Sequence, residues 1–134
     1  MMNIQRVNPP QLFDGRAYGM SQGSIDPHTG LVFLSGQVAW DEQSQVRGEG
    51  YAQQAEFAVR NLVTALAAAG TDVDHVLHLR IYVRGEVSEH MAEAMPPLLA
   101  VFSDVRPAIT GIGVASLATP DTLIELEATA VVPR

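Results

Sequence analysis

Few residues in this chain have both the type and the spacing that catalysis or binding requires. His75 and His78, beside Asp72 and Asp74, are the side chains a zinc ion would use. Placed together on a strand, an offset of three sends the two imidazoles to opposite faces, so no metal is expected there. His28 falls in a turn and His90 at the start of a helix, both read as solvated. Gly111-Ile112-Gly113 has two glycines of a dinucleotide fingerprint, but it lacks the third and opens a strand rather than a helix. Ser35 has no evident His–Asp partners for a hydrolase triad. Glu125 and Glu127 remain, alternating with Ile124, Leu126, Ala128 and Ala130 along one extended run. Strand alternation puts both carboxylates on the polar face of that run and the apolar residues on the other.

The elements that position these residues can be read from period and punctuation. Asp26-Pro27-His28-Thr29-Gly30 is a turn between an extended segment ending near Ile25 and the apolar run Leu31–Leu34, which together suggest a hairpin. From about Gly50 to Ala69 the period becomes helical. Ala55, Val59, Leu62, Val63 and Leu66 form one stripe, Gln53, Gln54, Glu56 and Arg60 face away, and Gly70 is the stop. Val73 to Val83 reads as a strand apolar on both faces. Ser88 is the expected cap of a second helix carrying Met91, Met95, Leu98, Leu99 and Phe102, kinked or restarted at Pro96-Pro97. Two further strands follow Arg106-Pro107. The expectation is a single two-layer α+β domain over residues 1–134, a mixed sheet covered on one face by two helices. The apolar second face of the Val73–Val83 strand suggests burial against sister subunits, for which a closed ring is the usual form.

Composition narrows the chemistry. The 134 residues include 15 acidic and 8 basic side chains, a net charge of −7, and every basic residue is arginine. Without lysine there is no Schiff-base nucleophile, and without cysteine no thiolate nucleophile, disulfide or thiolate metal site. Net negative charge and scattered arginines argue against nucleic acid and anionic membranes as partners. No signal-peptide core or membrane-length apolar run is present, so a cytoplasmic location is expected.

An ordered set of short motifs carries a resemblance over roughly Met20 to Val131. The set is Ser35-Gly36-Gln37, Gln54, Asn61-Leu62, Ala68-Ala69-Gly70, Ile81-Tyr82-Val83, Pro107-Ala108 and Ile124-Glu125-Leu126-Glu127-Ala128. It resembles the reactive intermediate deaminase family (RidA, also YjgF, formerly grouped with L-PSP endoribonucleases). The resemblance implies a chorismate-mutase-like homotrimer with a small metabolite in an intersubunit cleft, and no cofactor or metal. It also implies hydrolysis of reactive enamines and imines, with Glu125 as the catalytic residue that positions water. The residues it places at the cleft are Tyr18, Met20, Ser35, Gly36, Ile109, Thr110 and Gly111, with Ile109 near enough to desolvate Glu125.

Two positions depart from the family pattern. Where those deaminases have an arginine after Pro-Ala to hold the substrate carboxylate, this chain has Ile109. Met20 stands where many members carry tyrosine, with Tyr18 two residues earlier. Arg106 is close in sequence, but on an extended strand an offset of three leaves it on the opposite face from residue 109, about 10 Å away. Losing an ion-pairing arginine from a dry site costs on the order of 2–5 kcal/mol of anion binding. A hydrolase of plain amino-acid imines is therefore not expected, and enzymatic activity itself stays open. The alternatives are a non-catalytic ligand-binding or sensing trimer and, against the charge pattern, an endoribonuclease or translation inhibitor.

Overall fold

A computed structural model describes residues 3–134. The hairpin forms as expected. β2 (Gly23–Ile25) pairs antiparallel with β3 (Leu31–Leu34) across the turn, and β1 (Gln5–Val7) adds outside β2. Gly30 closes the turn at φ 81°, a conformation that costs glycine little, and its amide donates to the Asp26 carbonyl at 2.8 Å. β4 (Gln37–Val38) follows directly after β3.

Helix α1 (Gly50–Ala68) ends before Gly70, which takes φ 82°. Its buried stripe is Ala55, Ala58, Val59, Leu62, Ala65 and Leu66, while Val63 lies 41% exposed. Gln54 is not on the solvent side. It is buried, its amide donates to the Asp121 carbonyl at 2.8 Å, and it accepts from the Leu123 amide at 2.8 Å. A single side chain therefore satisfies two backbone groups of the loop that leads into the last strand.

β5 (Val76–Arg84) begins three residues later than the apolar pattern suggested. Val73–His75 form a short 3-10 turn, and the Asp72 carboxylate accepts from the Asp74 amide and pairs with His75. Helix α2 (Val87–Phe102) starts one residue ahead of Ser88 and runs unbroken through Pro96 and Pro97. The carbonyls that lose their donors belong to Ala92 and Glu93, both exposed, so water replaces the missing bonds. His90, expected in water, stacks on Tyr51 with ring centroids 4.2 Å apart.

β6 (Ala108–Val114) lies parallel to β5, and β7 (Ile124–Val131) lies antiparallel between β5 and the β3–β4 pair. The sheet order is β1-β2-β3-β7-β5-β6, with β4 also on β7. Ile124, Leu126, Ala128 and Ala130 of β7 face Leu62 and Leu66 of α1 and Leu98 and Phe102 of α2 in one core cluster. This is the expected two-layer α+β arrangement. Among the described residues no helix is long and apolar enough to cross a membrane.

The face away from the helices differs from expectation. On β5 it carries His78, Arg80 and Tyr82, which alternate with buried Leu79, Ile81 and Val83. Leu77 is displaced by an irregularity between Val76 and His78, which is why the run looked apolar on both sides. Phe33 is the large apolar group on this face, 53% exposed.

Candidate functional site

The site grows out of an interruption beside β7. Phe33 pairs with Thr129 and Gln37 with Leu126, so one strand takes four steps where its partner takes three. The extra residue falls at Ser35-Gly36, a β-bulge, the usual device for ending a ladder next to a ligand site. A side chain at Gly36 would meet the Glu125 carboxylate, since a Cβ there would lie 2.0 Å from Oε1. Glycine is what lets that carboxylate fold against the backbone. Burial pushes the Glu125 carboxyl above the usual carboxylate range, and the charge of Glu127 adds to the shift.

Glu127 itself is tied down. The Tyr82 hydroxyl donates to its Oε1 at 2.7 Å, and Arg80 approaches to 4.0 Å. That bond is also the main reason the Tyr82 phenol is raised above its ordinary value. The two glutamates of one strand face therefore differ: Glu127 is paired, whereas Glu125 makes no hydrogen bond or ion pair among the described residues.

Glu125 opens into a cavity of about 720 Å³ at the free side of β4. One wall is aromatic. Phe13 meets Trp40 edge-on with centroids 5.6 Å apart and Tyr18 at 6.0 Å. The Trp40 indole N–H donates to the Thr122 hydroxyl at 3.1 Å, which fixes the ring. The floor is an amide network. Gln22 donates to the Phe13 carbonyl at 2.7 Å, and Gln37 donates to Gln22 Oε1 at 2.8 Å and to the Ser35 carbonyl at 3.2 Å. Asn61 of α1 donates to the carbonyls of Val38 and Trp40 at 2.8 and 2.9 Å.

Of the residues singled out in the sequence, Tyr18, Met20, Ser35, Gly36 and Glu125 line this one cavity. Tyr18 reaches it from a 3-10 turn (Arg16–Tyr18) rather than from a strand, and Ser35 spends its hydroxyl on the Ser21 carbonyl at 2.6 Å. Ile109, Thr110 and Gly111 lie elsewhere in the chain. Ile109 pairs with Leu79 and so sits on the helix side of the sheet, opposite to Glu125; within one chain it does not desolvate that carboxyl. Thr110 is on the other face, bonded to His78 at 3.0 Å. Gly111 and Gly113 share the Ile109 face, where α2 packs closely. A Cβ at Gly111 would meet Met91 at 2.9 Å, and one at Gly113 would meet the Gly85 carbonyl at 2.5 Å. Their small size admits α2.

Arg106 also departs from the strand geometry. It lies outside β6 at φ 55°, with its amide on the Phe102 carbonyl, and closes the end of α2. It therefore turns into the same 240 Å³ groove as Ile109, along with Met95 and Phe102, instead of facing away. Trp40 and Phe13 were not anticipated, because neither belongs to a motif. Gln37 and Asn61 stood within quoted motifs as markers, but their side-chain roles, like that of Gln22, appear only when distant carbonyls converge on them.

Fold and site together define a small two-layer α+β protein with a ligand-sized cavity where an interrupted strand meets a desolvated glutamate. The family profile described as endoribonuclease L-PSP matches residues 17–132, and the chain belongs to that family, which includes the YjgF/RidA proteins. A YjgF-family protein from Neisseria meningitidis is similar at 28% identity and TM-score 0.79, with 99% of this chain and 98% of that one covered. A member of the YjgF/YER057c/UK114 family from Mycobacterium tuberculosis gives 27% identity and TM-score 0.80, with 96% and 99% covered. RidA from an Antarctic Psychrobacter, at 24% identity and TM-score 0.82 over 96% and 98%, agrees in fold. No curated protein matches the sequence.

Proposed function

We propose that this protein is a RidA-like homotrimer that binds a small metabolite in the Glu125 cavity and hydrolyses a reactive imine or enamine other than a plain amino-acid imine. The observation that carries the reading is a carboxylate held without a partner, against Gly36, inside a cavity of metabolite size. A carboxylate whose pKa is raised by burial is a stronger base than an ordinary one, which suits it to take a proton from water. Glu125 takes that proton as the oxygen adds to the C=N carbon. The Glu125 carboxyl returns that proton to the nitrogen of the adduct, and the carbinolamine so formed passes its hydroxyl proton to nitrogen as the C–N bond breaks, so imine plus water gives a carbonyl compound and ammonia.

Assembly supplies what one chain keeps apart. β6 is the outermost strand at the far end of the sheet order, so Ile109, Thr110, Gly111 and neighbouring Arg106 are available to a second copy. With Ile109 at the position of the family's clamp, the carboxylate of an amino-acid imine finds no cation at that position, and the nearest one is Arg106, held at the end of α2 in the same groove. The test is ammonia release from freshly generated 2-iminopropanoate beside an uncharged imine. The uncharged substrate should turn over in a Glu125-dependent way and 2-iminopropanoate poorly. Efficient 2-iminopropanoate turnover that disappears in Arg106→Ala would overturn the substrate assignment. Activity on neither substrate, with ligand binding retained, would favour the binding-only alternative.

A further inference from the structure

The amide and carboxylate groups on the floor of the Glu125 cavity present mainly acceptors. Gln22 is oriented by the Phe13 carbonyl, which forces its Oε1 toward Gln37. Gln37 then spends both amide hydrogens, on Gln22 and on the Ser35 carbonyl. Its Oε1 is left as a free acceptor on a side chain only 4% exposed that lines the cavity. Asn61 likewise commits both hydrogens to backbone carbonyls, which leaves Oδ1. The Glu125 carboxylate is a third acceptor. Among the donors, the Trp40 N–H and the Ser35 hydroxyl already have acceptors, which leaves one amide hydrogen of Gln22 and the neutral hydroxyls of Tyr18 and Ser44 at the rim. No residue of the same chain that lines the cavity is Arg or His.

From this arrangement we infer that the cavity selects ligands headed by a planar group rich in N–H donors, an amidinium or iminium, and rejects carboxylates. The inference rests on the reading of this cavity as the ligand site and narrows it to a substrate class. Each uncommitted acceptor offers a place for a ligand N–H. A carboxylate would bring acceptors to acceptors and a like charge to Glu125. Flat aromatic surfaces at Phe13 and Trp40 suit a planar, electron-poor head by stacking and cation–π attraction.

Trp40 is the only tryptophan of the chain and lines the cavity, so its fluorescence reports occupancy directly. Three nearly isosteric probes, benzamidine, benzamide and benzoate, are titrated against the full-length protein. Benzamidine should bind tightest, and benzoate at least about tenfold more weakly. Glu125→Gln should bring benzamidine down to the level of benzamide and keep the circular dichroism of the parent. Benzoate binding as tightly as benzamidine, above all if Arg106→Ala removes it, would overturn the inference while leaving the cavity as the site. Binding of none of the three would overturn the cavity reading as well.

Discussion

Glu125 concentrates the consequences at the level of single residues. Its folded-state carboxyl titrates above the ordinary glutamate range because of burial first and Glu127 second. Between the unfolded value and the raised one, the folded chain holds the proton more tightly. Stability therefore falls as pH rises through that window and stays reduced above it. Glu125→Gln should melt higher than the parent at neutral pH, and the difference should close as pH drops below the ordinary glutamate range. Thermal melts across pH check this, and the surrounding Glu127, Tyr82 and Arg80 are unchanged in the comparison. Gly36→Ala tests the close approach. A methyl there meets only the flexible end of Glu125, so the fold should hold while the carboxylate is displaced. Probe binding or turnover should then drop on the order of tenfold with little change in melting temperature. The sequence pointed to Glu125 and Gly36 because both sit in recognisable motifs. It could not show that Gln37 and Asn61 are acceptors, since that depends on carbonyls brought together by folding.

Elements decide which residues share a face. Strand alternation located the buried side of β7 correctly from the chain alone. It failed at Arg106 because the residue is not on a strand: the left-handed turn that ends α2 reverses the direction of its side chain. It failed again at Leu77, where one irregular residue in β5 made a mixed face look apolar. Pro96-Pro97 misled for a different reason. Proline breaks a helix when its freed carbonyls are buried, and here they are in water. The packing of α2 against β6 gives a prediction. Gly113→Ala places a methyl against the backbone carbonyl of Gly85, which cannot swing aside as a side chain can. Overpacking of this kind should cost about 1–3 kcal/mol, read as a lower midpoint in urea.

At the scale of the whole molecule, the sheet face opposite the helices sets the expectation for assembly. It combines exposed Phe33 with the Tyr82–Glu127–Arg80 cluster, and the proposed trimer would bury it between copies. Sedimentation equilibrium should give three chains per particle. Phe33→Asp, which adds a charge to that face, should shift the population toward smaller species and weaken probe binding with them. A monomeric parent with full activity would separate function from assembly.

The central claim is that the Glu125 carboxylate performs hydrolysis in the cavity it opens into. The most direct measurement is the steady-state rate of ammonia release from an uncharged imine by the parent and by Glu125→Gln, with benzamide binding followed at Trp40 in both. The account predicts a fall of about 10²–10⁴-fold in kcat while benzamide binding stays measurable in the variant. An active parent whose Glu125→Gln variant keeps the same rate would contradict it.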